Sequence, residues 1–231
     1  MATRAIGIVI EGATGRLGST QHLRSLMAIS GEGGLPLANG DRLVPEPVLL
    51  GRNPQKLAAL AAMNAGLKWR TDRDACLADP GVAIYFDATA TGGRPARVRA
   101  ALDAGKHVYV EKPLAETLAD ALDLARRAER AGLKNGVVQD KLFLPGLTKL
   151  RKLYEADFFG RVLSIRLDFG WWMFNGTPYP AQRPRLELPQ GRWWRADPRY
   201  VRALALHLRP PIGRGQSSVV PAYDRAPRAP R

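Results

Sequence analysis

Gly12, Gly15 and Gly18 stand three residues apart in the stretch Glu11-Gly-Ala-Thr-Gly-Arg-Leu-Gly18, directly after the apolar run Ala5–Ile10. A strand, a glycine turn and a helix in that order suit an anionic diphosphate. The first glycine permits a tight turn, the second lets backbone approach the phosphates, and the third lets the helix lie close to the strand. Free amides at the start of the helix then face the negative charge. Thr14, Arg16 and Leu17 occupy the intervals, and the first interval is Gly-x-x-Gly rather than Gly-x-Gly. Without a ligand the same residues make an ordinary glycine-rich connection.

The end of the next strand distinguishes two forms of such a dinucleotide. A carboxylate there bonds a ribose 2′-hydroxyl, as in NAD, whereas an arginine accommodates the 2′-phosphate of NADP. Here Val48–Leu50 runs into Gly51-Arg52-Asn53, with no acid. Arg52, with Arg16, is therefore expected to favour NADP over NAD through charge-assisted bonds. Read alone, Arg52 serves equally as a surface residue at a turn.

A third group is Glu111-Lys112-Pro113, at the end of the strand His107–Val110. A lysine at the carboxyl end of a parallel strand lies in the crevice where ligands bind. There its ammonium can donate to a hydroxyl and assist its deprotonation, with Glu111 beside it to orient the lysine or tune its pKa. By itself a Glu-Lys pair is more often a solvated surface pair.

The elements that must position these residues alternate regularly. The glycine turn leads into an amphipathic helix, and residues 30–47 read as loop from their Gly, Pro, Asn and Asp content. Pro54–Ala65 reads as a helix capped by Asn53, with proline at its first position. Val82–Asp87 is a strand, Arg94–Ala104 a helix, Glu116–Ala131 a helix and Asn135–Gln139 a strand. A further helix, Pro145–Ala156, and a strand, Val162–Phe169, follow. Repeated strand–helix units with short connections predict an α/β fold, a parallel sheet with helices on both faces.

Taken together, the glycine turn, the segment AALDAGKHVYVEKP and the following GVVQDKLFLPG resemble the Gfo/Idh/MocA family of NAD(P)-dependent oxidoreductases. The resemblance extends from residue 5 to about residue 184. It implies a doubly wound Rossmann domain at 1–140 and the start of an α/β substrate domain at 141–184. It also implies hydride transfer on a sugar, inositol or related polyol, and a homo-oligomeric habit that is doubtful for this chain. Lys112 falls on the family's catalytic lysine and Glu111 beside the cofactor. Thr89 stands where the family has a threonine near the nicotinamide, though Ala90-Thr91 replace its Pro-Asn. Arg94 stands where many members have histidine, and Lys141 falls on a substrate-side position.

The 231 residues carry a net charge of +14, but unevenly. Residues 183–231 hold 11 Arg, no Lys, only Glu187, Asp197 and Asp224, and eight of the 18 prolines. The family's second catalytic element, a Gly-rich strand followed by Asp-x-x-x-His, is missing there. None of His22, His107 and His207 is placed to substitute. In another reading frame residues 185–209 are compatible with such an element, its aspartate in the register of Arg199 and its histidine in that of Ala203. Trp193 followed by Trp194 forces a glycine in that frame. Residues 185–231 are thus expected to be an out-of-frame basic tail, and the second domain to be incomplete. Cofactor uptake without appreciable turnover is the expectation.

Other functions fit less well. A disulfide scaffold is excluded because Cys76 is the sole cysteine. No apolar run approaches the roughly 20 residues of a membrane span, and the amino terminus does not read as a signal peptide, so a cytoplasmic protein is expected. A short-chain reductase would need Tyr-x-x-x-Lys, yet Thr89, Pro113 and Phe158 follow Tyr85, Tyr109 and Tyr154 at that spacing. The basic tail admits non-specific binding of nucleic acid, but no recognition motif accompanies it.

Overall fold

The computed structural model describes residues 2–165 of the chain. These belong to two compact units, Met1–Val138 and the residues from Gln139 onward. The first unit contains β1 (Thr3–Glu11), α1 (Arg24–Gly31), β2 (Leu35–Pro36), β3 (Arg42–Leu50), α2 (Pro54–Ala62) and β4 (Trp69–Arg70). It continues through α3 (Arg73–Ala78), β5 (Val82–Asp87), α4 (Arg94–Asp103), β6 (His107–Val110), α5 (Leu118–Arg130) and β7 (Asn135–Val137). A π-helical turn, Gly18–Leu23, leads into α1.

The strands form one sheet in the order β2-β3-β1-β5-β6-β7, with β4 pairing to the end of β3. All pairings are parallel except β2 with β3. This is the doubly wound parallel fold expected from the alternation. Register levels the carboxyl ends: Glu11 pairs with Leu50 on one side and Asp87 on the other, and Asp87 pairs with Val110. The loops after β1, β3, β5 and β6 therefore leave the sheet in one row.

Each face has its own core. On one, Val9, Tyr85, Val108 and Val110 of the sheet meet Val98 and Leu102 of α4 and Leu124 of α5. On the other, Ile8, Ile10 and Phe86 meet Leu23 and, from α2, Leu57. The amphipathic spacing along α5 produces this directly, since Leu124 and Ala128 are buried one turn apart.

Two stretches differ from expectation. Residues 30–47 are not all loop, because β3 begins at Arg42 and runs through Pro45 and Pro47. Two residues apart, these prolines turn their missing N–H groups to the same edge of the strand. Neither β2, which pairs Arg42 and Leu43, nor β4, which pairs Leu49 and Leu50, reaches that stretch. Proline is tolerated where no ladder bond is lost. The other is residues 66–81, where the sequence predicts neither β4 nor α3; the six residues of α3 are too few for periodicity to show, and Asp72 caps it by accepting from the Ala75 amide.

The second unit begins with a 3₁₀ turn, Asp140–Phe143, and α6 (Pro145–Glu155). Of the strand expected at Val162–Phe169, residues 162–165 have no strand pairing, and 166–169 lie outside the described residues. The basic tail from residue 185 likewise lies outside them. No helix among the described residues is long and apolar enough to cross a membrane.

Candidate cofactor cleft

At the end of β1 the chain turns sharply at Gly12, whose φ of +84° is a conformation that side chains disfavour. The Gly12 amide donates to Leu50 O at 3.0 Å, and the Gly15 amide donates back to Gly12 O at 2.9 Å. Gly18 is buried at the base of the turn. A Cβ there would lie 2.4 Å from Gly12 O and 3.0 Å from Ala13 Cα, so only glycine lets the helix approach the strand. Thr14, Gly15 and Arg16 are exposed and Leu17 is half-buried. The hydroxyls of Ser19 and Thr20 donate to Gly15 O and Arg16 O rather than capping the start of the helix, while the Ala13 amide, like that of Gly15, already has a backbone acceptor. First-turn amides lack acceptors within a helix, which makes this end a cradle for an anion. The residues present fit a dinucleotide diphosphate.

Beside the cradle, at the end of β3, lies a cavity of about 240 Å³ lined by Glu11, Gly51, Arg52, Asp72 and Arg73 among others. Arg52 has no hydrogen-bond or ion-pair partner among the described residues. Asn53 is different: its side chain accepts from the Lys56 amide at 2.9 Å and is spent on capping α2. Two of the lining residues, Glu11 and Arg73, belong to a cluster that the sequence does not announce. Arg73 donates to both Glu11 oxygens, at 2.6 and 2.8 Å, and Tyr85 Oη donates to Glu11 Oε2 at 2.5 Å. Burial, reinforced by the Glu11 charge, holds the Tyr85 hydroxyl far above its ordinary pKa, so it remains a donor. The hydrogen bond to Glu11 raises the Arg73 pKa likewise. The only sequence signal was an acid closing an apolar strand, which demands a partner without naming one.

The loop after β5 is held by Asp87, which is fully buried. Its Oδ1 accepts from the Thr89 amide at 2.9 Å and the Thr89 hydroxyl at 2.6 Å, and its Oδ2 from Arg97 Nε at 2.8 Å. Thr89 Oγ1 also accepts from Arg97 at 2.5 Å. Arg94, at the start of α4, is only 1% exposed. Its guanidinium donates to the carbonyls of Thr89, Glu111 and Pro113.

At the end of β6 the Lys112–Pro113 peptide is cis. Glu111 does not pair with the neighbouring lysine side chain. Its Oε1 accepts from His22 Nε2 at 2.8 Å and its Oε2 from the Lys112 amide at 3.1 Å. Burial pushes the Glu111 carboxyl up, but the His22 hydrogen bond and charge, with the Lys112 amide and charge, overcome it and leave the pKa below the usual value. The Lys112 ammonium has no hydrogen-bond or ion-pair partner among the described residues. His22, which its sequence position does not mark as a site residue, thus reaches the Glu111 turn from the π-helical segment, its ring tilted against Phe86 with centroids 4.5 Å apart. Lys141 belongs to the second unit, where its ammonium donates to Asp140 at 2.7 Å.

Known proteins match part of this chain. The chain is 48% identical over 183 residues to the D-xylose dehydrogenase of Paenarthrobacter nicotinovorans, covering 79% of this chain and 47% of that protein. It is 34% identical over 142 residues to the 1,5-anhydro-D-fructose reductase of Ensifer adhaerens, covering 62% of this chain and 41% of that one. The chain thus spans about half the length of the curated relatives it matches. A solved NAD-binding protein from Listeria innocua superposes with a TM-score of 0.54 at 26% identity, over 68% of this chain and 42% of its own. Residues 6–138, the whole of the first unit's sheet beyond its opening residues, match the Gfo/Idh/MocA oxidoreductase family, described as having an NAD-binding Rossmann fold, and the chain belongs to that family.

Proposed function

We propose that this chain binds NADP, or less tightly NAD, along the row of strand ends, in a protein that oxidises a sugar or related polyol. The carrying observation is that Gly12–Gly18, Arg52 and Lys112 all follow strands whose ends are in register. The diphosphate would rest on the amides after Gly12, and the unpartnered Arg52 beside the cavity would take a 2′-phosphate. Thr89 and Glu111 would flank the nicotinamide. When bound, the nicotinamide accepts hydride from the carbon that carries the reacting hydroxyl. The Lys112 ammonium would donate to that hydroxyl oxygen and so assist the loss of its proton, to solvent or an acid/base partner, as the carbonyl forms. The names of the two relatives, a xylose dehydrogenase and an anhydrofructose reductase, favour a sugar.

The residues from 185 to 231 carry no Asp-x-x-x-His, so the acid/base histidine expected to receive that proton is not among them. We therefore infer cofactor uptake with little turnover. Calorimetric titration with NADPH and NADH, joined to an assay of polyol-dependent NADPH formation, tests both parts. Saturable uptake with negligible turnover is expected. Uptake of neither nucleotide by folded protein refutes the binding reading, and brisk turnover refutes the inference of impairment.

A further inference from the structure

We infer that Arg94 is a positioning residue that fixes the Thr89 loop and the Glu111-Lys112-Pro113 turn to one another as a single nicotinamide-side wall. The inference rests on the dinucleotide reading and assigns a role to a residue that touches neither cofactor nor substrate in it.

Arg94 opens α4 and is anchored there, its own amide donating to Thr91 O at 3.0 Å. One terminal nitrogen, Nη1, donates to Glu111 O at 2.7 Å and also to Pro113 O, the two carbonyls on either side of Lys112. The other, Nη2, donates to Thr89 O at 2.5 Å. Nε makes no hydrogen bond but lies 3.4 Å from Asp87 Oδ1, the carboxylate that organises the Thr89 loop. A single planar group therefore joins the ends of β5 and β6 through three carbonyls and one carboxylate.

A surface arginine gives no such coupling, because solvent competes for each bond. Here the side chain is 1% exposed and Asp87 is wholly buried, so solvent has little access to compete at the guanidinium. Lysine cannot reproduce it: its ammonium is a point charge and lacks the fork that spans separated acceptors. Asp87 is already held by Arg97 and the Thr89 amide, so the β5 loop would survive loss of Arg94. The turn around Lys112 would lose its ties to that loop.

Two ligands separate positioning from bulk folding. NADPH spans both halves of the cleft, whereas adenosine 2′,5′-bisphosphate occupies only the adenosine half. In Arg94→Lys the affinity for NADPH is expected to fall by about tenfold or more, as for loss of hydrogen bonds to a charged group. Affinity for the bisphosphate should stay within about twofold, a change of roughly 0.4 kcal/mol. If the two affinities fall together, or neither falls, the positioning role is wrong. If the unaltered chain binds neither ligand, the dinucleotide reading itself fails and takes this inference with it.

Should Arg94→Lys not fold, amide exchange on the unaltered chain decides. NADPH should slow exchange in residues 89–93 and 111–117 together, and the bisphosphate in neither. Protection of one segment without the other overturns the coupling.

Discussion

His22 Nε2 lies 2.8 Å from Glu111 Oε1 and so ties the π-helical turn after the glycine cradle to the turn that carries Lys112, across 89 positions of sequence. An ionised carboxylate only accepts, so Nε2 bears the proton in this pairing. Glu111 is 4% exposed, and loss of the imidazole would leave its Oε1 buried without a donor. His22→Leu should therefore cost about 1–3 kcal/mol in urea denaturation at neutral pH.

The same pair predicts an acid dependence. A carboxyl whose pKa is lowered by folding stabilises the fold above its unfolded value, and that stability is lost as pH falls through the folded value. For Glu111 the loss should occur below its ordinary value of 4.5. Without His22, burial, the largest influence on Glu111, is opposed only by the Lys112 amide and charge, so in His22→Leu the folded pKa rises and the acid loss should shrink. Stability measured between about pH 3 and 6 should show a shallower acid limb than in the unaltered chain. Limbs of equal slope would remove His22 as the cause.

Tyr85 sets the opposite limit. Its pKa is raised by burial and by Glu11, so the unfolded chain ionises first as pH rises. The stability it contributes is complete below the ordinary tyrosine value of 10 and declines above it. Tyr85→Phe should flatten that alkaline decline. At neutral pH it should cost about 1 kcal/mol, because Glu11 Oε2 keeps its bond from Arg73.

Gly18→Ala probes the cradle. Its Cβ would meet Gly12 O at 2.4 Å, a backbone atom that cannot swing aside. The helix must then lift from the strand end, and overpacking of this kind costs about 1–3 kcal/mol. NADPH fluorescence titration should show binding weakened by at least about tenfold, a loss of roughly 1.4 kcal/mol. Unchanged titration would mean the diphosphate does not sit here.

Arg52 is predicted to decide between the two nucleotides. Arg52→Ser removes the unpartnered cation beside the β3 cavity and should weaken NADPH by about tenfold while leaving NADH nearly unchanged. Parallel titrations give the ratio directly, and an unchanged ratio would place the 2′-phosphate elsewhere.

Much of the scaffold is legible in short stretches of chain. Asn53 followed by Pro54 marks the start of α2, and the cap forms as that pattern requires. The glycines at 12, 15 and 18 announce a close strand–helix turn, and the backbone there does need the absence of a side chain at Gly18. Such features involve residues within about one turn of each other, so their energetics are local. The start of β3 was hidden because Pro45 and Pro47 argue against a strand unless its edge is known to be open.

What sequence alone determined, then, is the alternation of strands and helices, the glycine cradle, the absence of an acid after β3, and the place of Lys112 at the end of β6. The partners of the buried polar groups were decided only in three dimensions. Arg73 and Tyr85 reach Glu11 over 62 and 74 positions, and His22 reaches Glu111 over 89. Nothing in their spacing distinguishes them from surface residues. A buried charge must find a partner, but which one it finds depends on which strands lie side by side, and that is a property of the assembled sheet.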